Sequence, residues 1–195
     1  MTSSRLRNQG FVNVHRKLLF RLMAILLTAY LFYAPVPWTP PETAILSAQI
    51  SGSLLIFVGI LGRILATISI GGLKDRVIVR TELYSVSRNP LYFSSFLMAM
   101  GVGLLSGRVD FVFLVGISFL AIFYPMMLNE ARYLSLRFED FADYERTVPL
   151  FFPNFTLWKE RKGFEINFKL VKRTLLDASL VLPAIPVMIL IRKLS

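Results

Sequence analysis

The sequence predicts an all-α membrane protein, a bundle of four to five transmembrane helices, and three observations carry that prediction. Of 195 residues, 55% are hydrophobic and 17% charged, against roughly 45–50% and about 25% in soluble domains. Mean hydropathy is +0.60, and a water-soluble fold of this length would expose large apolar patches. The apolar residues also fall in long runs of the roughly 17–25 residues needed to cross the hydrocarbon core.

The first run is 18–34, with Arg21 near its start, and it ends at Pro35-Val36-Pro37-Trp38-Thr39-Pro40-Pro41. Those prolines cannot continue a helix, and Trp38 suits an interface, so the segment reads as an external turn. Residues 45–66 form the second run; Arg63 stands close enough to its end to extend its head group toward the interface. Runs 91–105 and 109–128 are separated only by Ser106-Gly107-Arg108 and read as an antiparallel helical hairpin. The last run, 175–191, contains Asp177, Pro183 and Pro186 and is compatible with spanning, re-entering or lying on the surface. No repeat of 20–50 residues is evident, so the chain reads as a single integral membrane domain over 1–195.

The chain carries 22 Lys and Arg against 12 Asp and Glu. Four of the basic residues lie in 1–17, five in 63–90 and nine in 129–174, while 35–44 has none. By the positive-inside rule the N-terminus and the segments 63–90 and 129–174 are cytoplasmic. Basic residues set between apolar runs point to the lipid bilayer as partner and away from nucleic acid. Met1–Arg7 leads into no cleavable signal-peptide pattern. The chain has no Cys and one His, which excludes disulfides, thiol nucleophiles and thiolate or histidine-rich metal centres. His15 reads as interfacial. Residues 129–174 show an apolar stripe, Leu134, Phe138, Phe141, Phe151 and Phe152, as an interfacial helix would.

The most informative stretch is Arg76-Val77-Ile78-Val79-Arg80-Thr81-Glu82-Leu83-Tyr84-Ser85-Val86-Ser87-Arg88-Asn89-Pro90-Leu91-Tyr92. Asn89 suits a helix N-cap, Pro90 the first helical position, and Arg88 the membrane boundary, so these residues could simply start a helix. The same start directs free N–H groups and partial positive charge at whatever lies beside it, which suits an anionic ligand group. Tyr84 and Tyr92 could wall a bound heterocycle. Glu130, where an apolar run meets the cytoplasm, reads either as a solvated carboxylate on a continuing helix or as a group that pairs with a cation or accepts a proton. The small residues Ser94, Ser95, Ala99 and Gly103 mark close helix packing.

Tyr84-Ser85-Val86-Ser87-Arg88-Asn89-Pro90-Leu91-Tyr92 resembles the Tyr-x-x-x-Arg-His-Pro-x-Tyr motif of isoprenylcysteine carboxyl methyltransferases and their phospholipid N-methyltransferase relatives. Glu130, Leu134 and Phe138, followed by Phe141 to Pro153 with Tyr144 and Val148-Pro149, look like that family's tail. The resemblance covers about residues 60–155. It implies an integral membrane enzyme that transfers a methyl group from S-adenosylmethionine to a lipid-like or prenylated small substrate at the cytoplasmic face, the C-terminal segment completing the cofactor pocket. Carried over, Arg76, Val77, Ile78, Val79, Tyr84, Asn89, Pro90, Leu91 and Tyr92 would contact the cofactor, and Glu130 with Arg88 would be catalytic. The sequence departs from the pattern where Asn89 replaces a His, Glu82-Leu83 stands where Gly-Pro is usual, Ala131 replaces a second Glu and Met126 an Arg. A membrane reductase using a nicotinamide cofactor is similar in its hairpin, and a non-catalytic membrane scaffold is the third reading. The enzymatic reading requires the loop before residue 90 and the stretch starting near residue 130 to lie together at the inner leaflet.

Overall fold

The computed structural model describes residues 18–19, 21–35, 38, 40–73, 76–161, 163 and 166–194. Met1–Arg7, His15 and the rest of the N-terminal segment read above as cytoplasmic lie outside them. The fold is all-α, as the sequence predicts: α1 (Arg21–Tyr33), α2 (Glu42–Ile70), α3 (Leu83–Val86), α4 (Pro90–Leu105), α5 (Val109–Ser135), α6 (Phe141–Thr147), a 3-10 turn (Phe155–Leu157), α7 (Phe168–Ser179) and α8 (Ala184–Leu194). Three stretches are long and apolar enough to cross a membrane, α2, α5 and the α7–α8 run Phe168–Leu190; α1 and α4 are shorter apolar helices. This is a membrane protein.

At 1.5 Å per residue, α2 with 29 residues and α5 with 27 extend about 40 Å, beyond the ~30 Å hydrocarbon core. The apolar runs therefore understate these helices. α2 continues to Ile70, and α5 passes Leu128 and Glu130 to end at Ser135. α4 has only 16 residues and lies along α2 through glycine. A Cβ on Gly101 would stand 2.5 Å from the Gly52 carbonyl oxygen, and one on Gly59 2.6 Å from that of Ser94, so the two backbones touch as small-residue contacts allow. The small residues of α4 serve two neighbours. Ser94 and Gly101 face α2, whereas Gly103 meets Val112 of α5 and Ala99 packs into the Phe119–Phe123 cluster.

The hairpin between α4 and α5 turns at Gly107, whose φ of +67° suits a residue without Cβ. Arg108, 6% exposed, locks this end. Its guanidinium pairs with Asp110 at 2.7 Å and donates to the carbonyls of Ala34 at 3.0 Å and Pro35 at 3.1 Å, groups that the end of α1 leaves without helical partners. Tyr30 completes the lock by donating to Asp110 at 2.8 Å.

Two sequence expectations change here. Arg63 does not reach toward the interface; because α2 runs on to Ile70, it lies inside the helix contact and donates to the Ser95 hydroxyl. Nor does 129–174 form one interfacial helix. Its aromatic stripe is split among the end of α5, α6 and an extended strap, so that Phe141 and Phe151 are buried while Phe152 is exposed.

Gly101→Val should lower the melting temperature in detergent by several degrees, since overpacking a tight contact costs about 1–3 kcal/mol. Gly72→Ala, where an added Cβ meets nothing within 4 Å, should leave it unchanged. Equal behaviour of the two variants in a thermal scan would rule out the α2–α4 contact described above.

Candidate functional site

The two stretches singled out by the sequence do lie together. The chain from Arg80 to Asn89 has little regular structure beyond the single turn of α3, so its backbone groups need partners that no helix supplies. The segment from Asp140 to Arg161 provides them. The Arg88 N–H donates to the Pro149 carbonyl at 2.9 Å, the Asn154 N–H to that of Val86 at 2.8 Å, and the Glu82 N–H to that of Lys159 at 2.7 Å. Side chains close the remainder. Ser87 Oγ donates to the Phe151 carbonyl at 2.9 Å, Asn89 Nδ2 to that of Leu150 at 3.0 Å, and Tyr144 Oη to that of Tyr84 at 2.7 Å. The Lys159 N–H donates to Ser85 Oγ at 3.0 Å, and the Arg161 N–H to a Glu82 carboxylate oxygen at 2.7 Å. Ion pairs flank this latch, Arg88 with Glu145 at 2.5 Å and Arg80 with Asp140 at 2.6 Å.

Asn89 stands at the N-cap of α4 with Pro90 in the first turn, as its sequence suggests, but its side chain makes no capping bond. The amide is committed to Leu150 instead. Glu82 has φ of +55°, a conformation in which a non-glycine residue costs about 1–3 kcal/mol. Bonds on its N–H, carbonyl and carboxylate hold it there. This explains why glycine would be at home at the position.

The remaining candidates sit around the latch in different surroundings. Arg76 and Val77 are exposed, just past the end of α2. Ile78 packs against the Phe141–Tyr144–Val148 cluster, and Val79 is half-buried. Pro90 is buried, Leu91 half-buried, and Tyr92 lies with its ring 5.4 Å from that of Phe123. Arg88, 13% exposed along its side chain, is an ion-pair member of the latch. Glu130 is exposed, within electrostatic reach of Tyr84. Met126 packs beside Phe123 and Met127.

Burial, and then the negative charge of Glu130, pushes the Tyr84 phenol above its ordinary pKa. Burial does the same to Tyr144, opposed by the positive charges of Arg88 and Arg80. Ser85, Ser87 and the carbonyls of 149–151 were not apparent as partners from sequence. Small polar residues alternating around Val86 are the signal that could have shown them.

With this geometry established, comparison with known proteins adds a different constraint. The chain is similar to two metal-resistance proteins. It is 26% identical over 170 residues to the cobalt-zinc-cadmium resistance protein CzcN of Cupriavidus metallidurans, covering 87% of this chain and 78% of that protein. It is 28% identical over 171 residues to the nickel-cobalt-cadmium resistance protein NccN of Alcaligenes xylosoxydans xylosoxydans, covering 87% and 79%. No family model matches the chain, and no solved structure matches it.

These relatives correct the functional reading. The resemblance to isoprenylcysteine carboxyl methyltransferases rests on short motifs, whereas the relatives extend over most of the chain and carry metal-resistance names. Methyl transfer is therefore withdrawn as the function, and neither the nicotinamide-dependent reductase nor the non-catalytic scaffold gains support from the relatives. S-adenosylmethionine belongs to that resemblance, and the function proposed below does not require it.

Asn89→Ala leaves the half-buried Leu150 carbonyl without its donor, a cost of about 1–3 kcal/mol. Hydrogen exchange at the Arg88 and Asn154 amides should accelerate about tenfold or more, ~1.4 kcal/mol of local opening; unchanged protection at both would contradict the latch. Each buried tyrosine has a folded pKa above its unfolded value near 10.0. Its contribution to stability is complete below pH 10 and is lost as pH rises from there toward the folded pKa. The melting temperature should fall above pH 10, and Tyr84→Phe should flatten that fall; an identical alkaline profile in the variant would show that Tyr84 is not its source.

Proposed function

We propose that this chain is a membrane protein acting in cellular resistance to divalent transition-metal ions, among them cobalt, zinc, nickel and cadmium. The observation that carries this reading is similarity along 87% of the chain to two proteins that bear those metals in their names. The latched end faces the cytoplasm, a reading supported by the Lys and Arg of 63–90 and 129–174.

The donor inventory shapes how such a protein contributes. Thiolates favour the soft ions and imidazoles suit zinc and nickel, yet the chain has no Cys and one His. Among the described residues no three His, Cys, Asp or Glu gather in a group that could hold a metal ion. The reading supported by this chemistry is a protein that acts at the membrane alongside the molecules that bind the metal. The latch then matters as the rigid part of its cytoplasmic surface.

Deleting the gene from the organism that carries it should lower the concentrations of cobalt, zinc, nickel or cadmium salts that permit growth. The wild-type gene should restore tolerance, and a Ser87→Ala/Asn89→Ala double variant should restore it less well at equal protein abundance. Unaltered tolerance to all four metals after deletion would overturn the proposal.

A further inference from the structure

Helix α7 differs from the other long elements. Its core contact is narrow: Ala178 is buried against Ile56 and Ile60 of α2, and Thr174 shares a 3.0 Å hydrogen bond with Thr67 near the inner end of α2. Leu170, Val171 and Ser179 are half-buried beside this contact, and the opposite face is exposed. Lys169, Lys172 and Arg173 are exposed, as are Phe168 at 76% and Leu176 at 57%. Basic and large apolar side chains therefore share one exposed surface, as where cationic heads extend toward headgroups from an apolar helix surface.

The strap that closes the latch has the same character. Phe155 and Trp158 are 65% and 45% exposed, and exposed Lys159 follows directly. Both elements stand at the same end of the bundle, α7 through Thr67 and the strap through Ser85. Residues 158–179 hold six Lys and Arg against three Asp and Glu. Arg173 is paired with Asp177 at 3.9 Å, both exposed, and Lys169 and Lys172 beside the aromatic fringe leave an excess of positive charge complementary to an anionic leaflet.

The geometry points to α7 and the 155–161 strap as a docking surface for anionic phospholipid, with Lys169, Lys172 and Arg173 contacting headgroup phosphates and Trp158 and Phe168 seated among the first acyl carbons. This rests on exposure and charge in these two elements and is independent of metal resistance. Lys and Arg near an anionic surface each favour it roughly fivefold, so acidic lipid should be enriched locally by about that factor per contact.

The chain has two Trp residues, which allows single reporters. Trp38→Phe leaves Trp158; adding Trp158→Phe and Phe168→Trp moves the reporter onto α7. Each protein is reconstituted into mixed phosphatidylcholine and phosphatidylglycerol nanodiscs in which one lipid at a time is brominated. Quenching per mole should be several-fold stronger from brominated phosphatidylglycerol. A Lys169→Gln/Lys172→Gln/Arg173→Gln variant should bring the two quenchers close to parity, while Lys169→Arg/Lys172→Arg retains the preference and checks that α7 is intact. Equal quenching by both lipids in the wild type, absence of quenching by either, or an undiminished preference in the Gln variant would each overturn the assignment.

Discussion

The constraint on which this structure depends is hydrogen-bond satisfaction at the latched end of the bundle. From Arg76 to Asn89 the chain is irregular apart from the single turn of α3, and from Val148 to Arg161 it is irregular apart from a 3-10 turn. Irregular backbone near a bilayer is tolerated only where its polar groups find partners. Neither segment can supply these alone. Together they exchange backbone bonds at Val86, Arg88 and Glu82, with Ser87, Asn89 and Tyr144 completing the set. Removing one segment would strand buried donors and acceptors on the other, which makes the pair a single cooperative unit.

The opposite end obeys the same rule with different chemistry. There α1 ends before the prolines, and Arg108 supplies donors to the carbonyls left over. Its charge is paired with Asp110, so this buried cation is compensated, which such a group requires. Between the two ends, glycines let α2 and α4 approach until their backbones touch. The bundle thus combines a directional lock at each end with close packing along its length.

Much of this was legible in the sequence. Apolar runs located the helices, the proline cluster marked the end of α1, and Ser106-Gly107-Arg108 left room only for a tight hairpin. The meeting of the loop before residue 90 with the stretch after 130 was also anticipated. Less legible were the destinations of individual polar side chains, because these depend on contacts distant in the chain. Asn89 satisfies every local rule for a cap, yet its amide is used by Leu150, 61 positions away. Arg63 looked peripheral because its apolar run ended soon after, whereas the helix did not. The functional reading failed because it was drawn from short motifs, Tyr84, Arg88 and Asn89 in a familiar order, that occupy little of the chain. Relatives matched over most of the chain carry metal-resistance names instead.

A cysteine-free chain permits a direct test of the latch in native membranes. Arg80→Cys and Asp140→Cys replace an exposed ion pair spanning the two segments, and a short bifunctional thiol reagent should join them efficiently within one chain. Glu42→Cys with Asp140→Cys, at opposite ends of the bundle, should remain unlinked. Cross-linking of the first pair no better than that of the second would contradict the account.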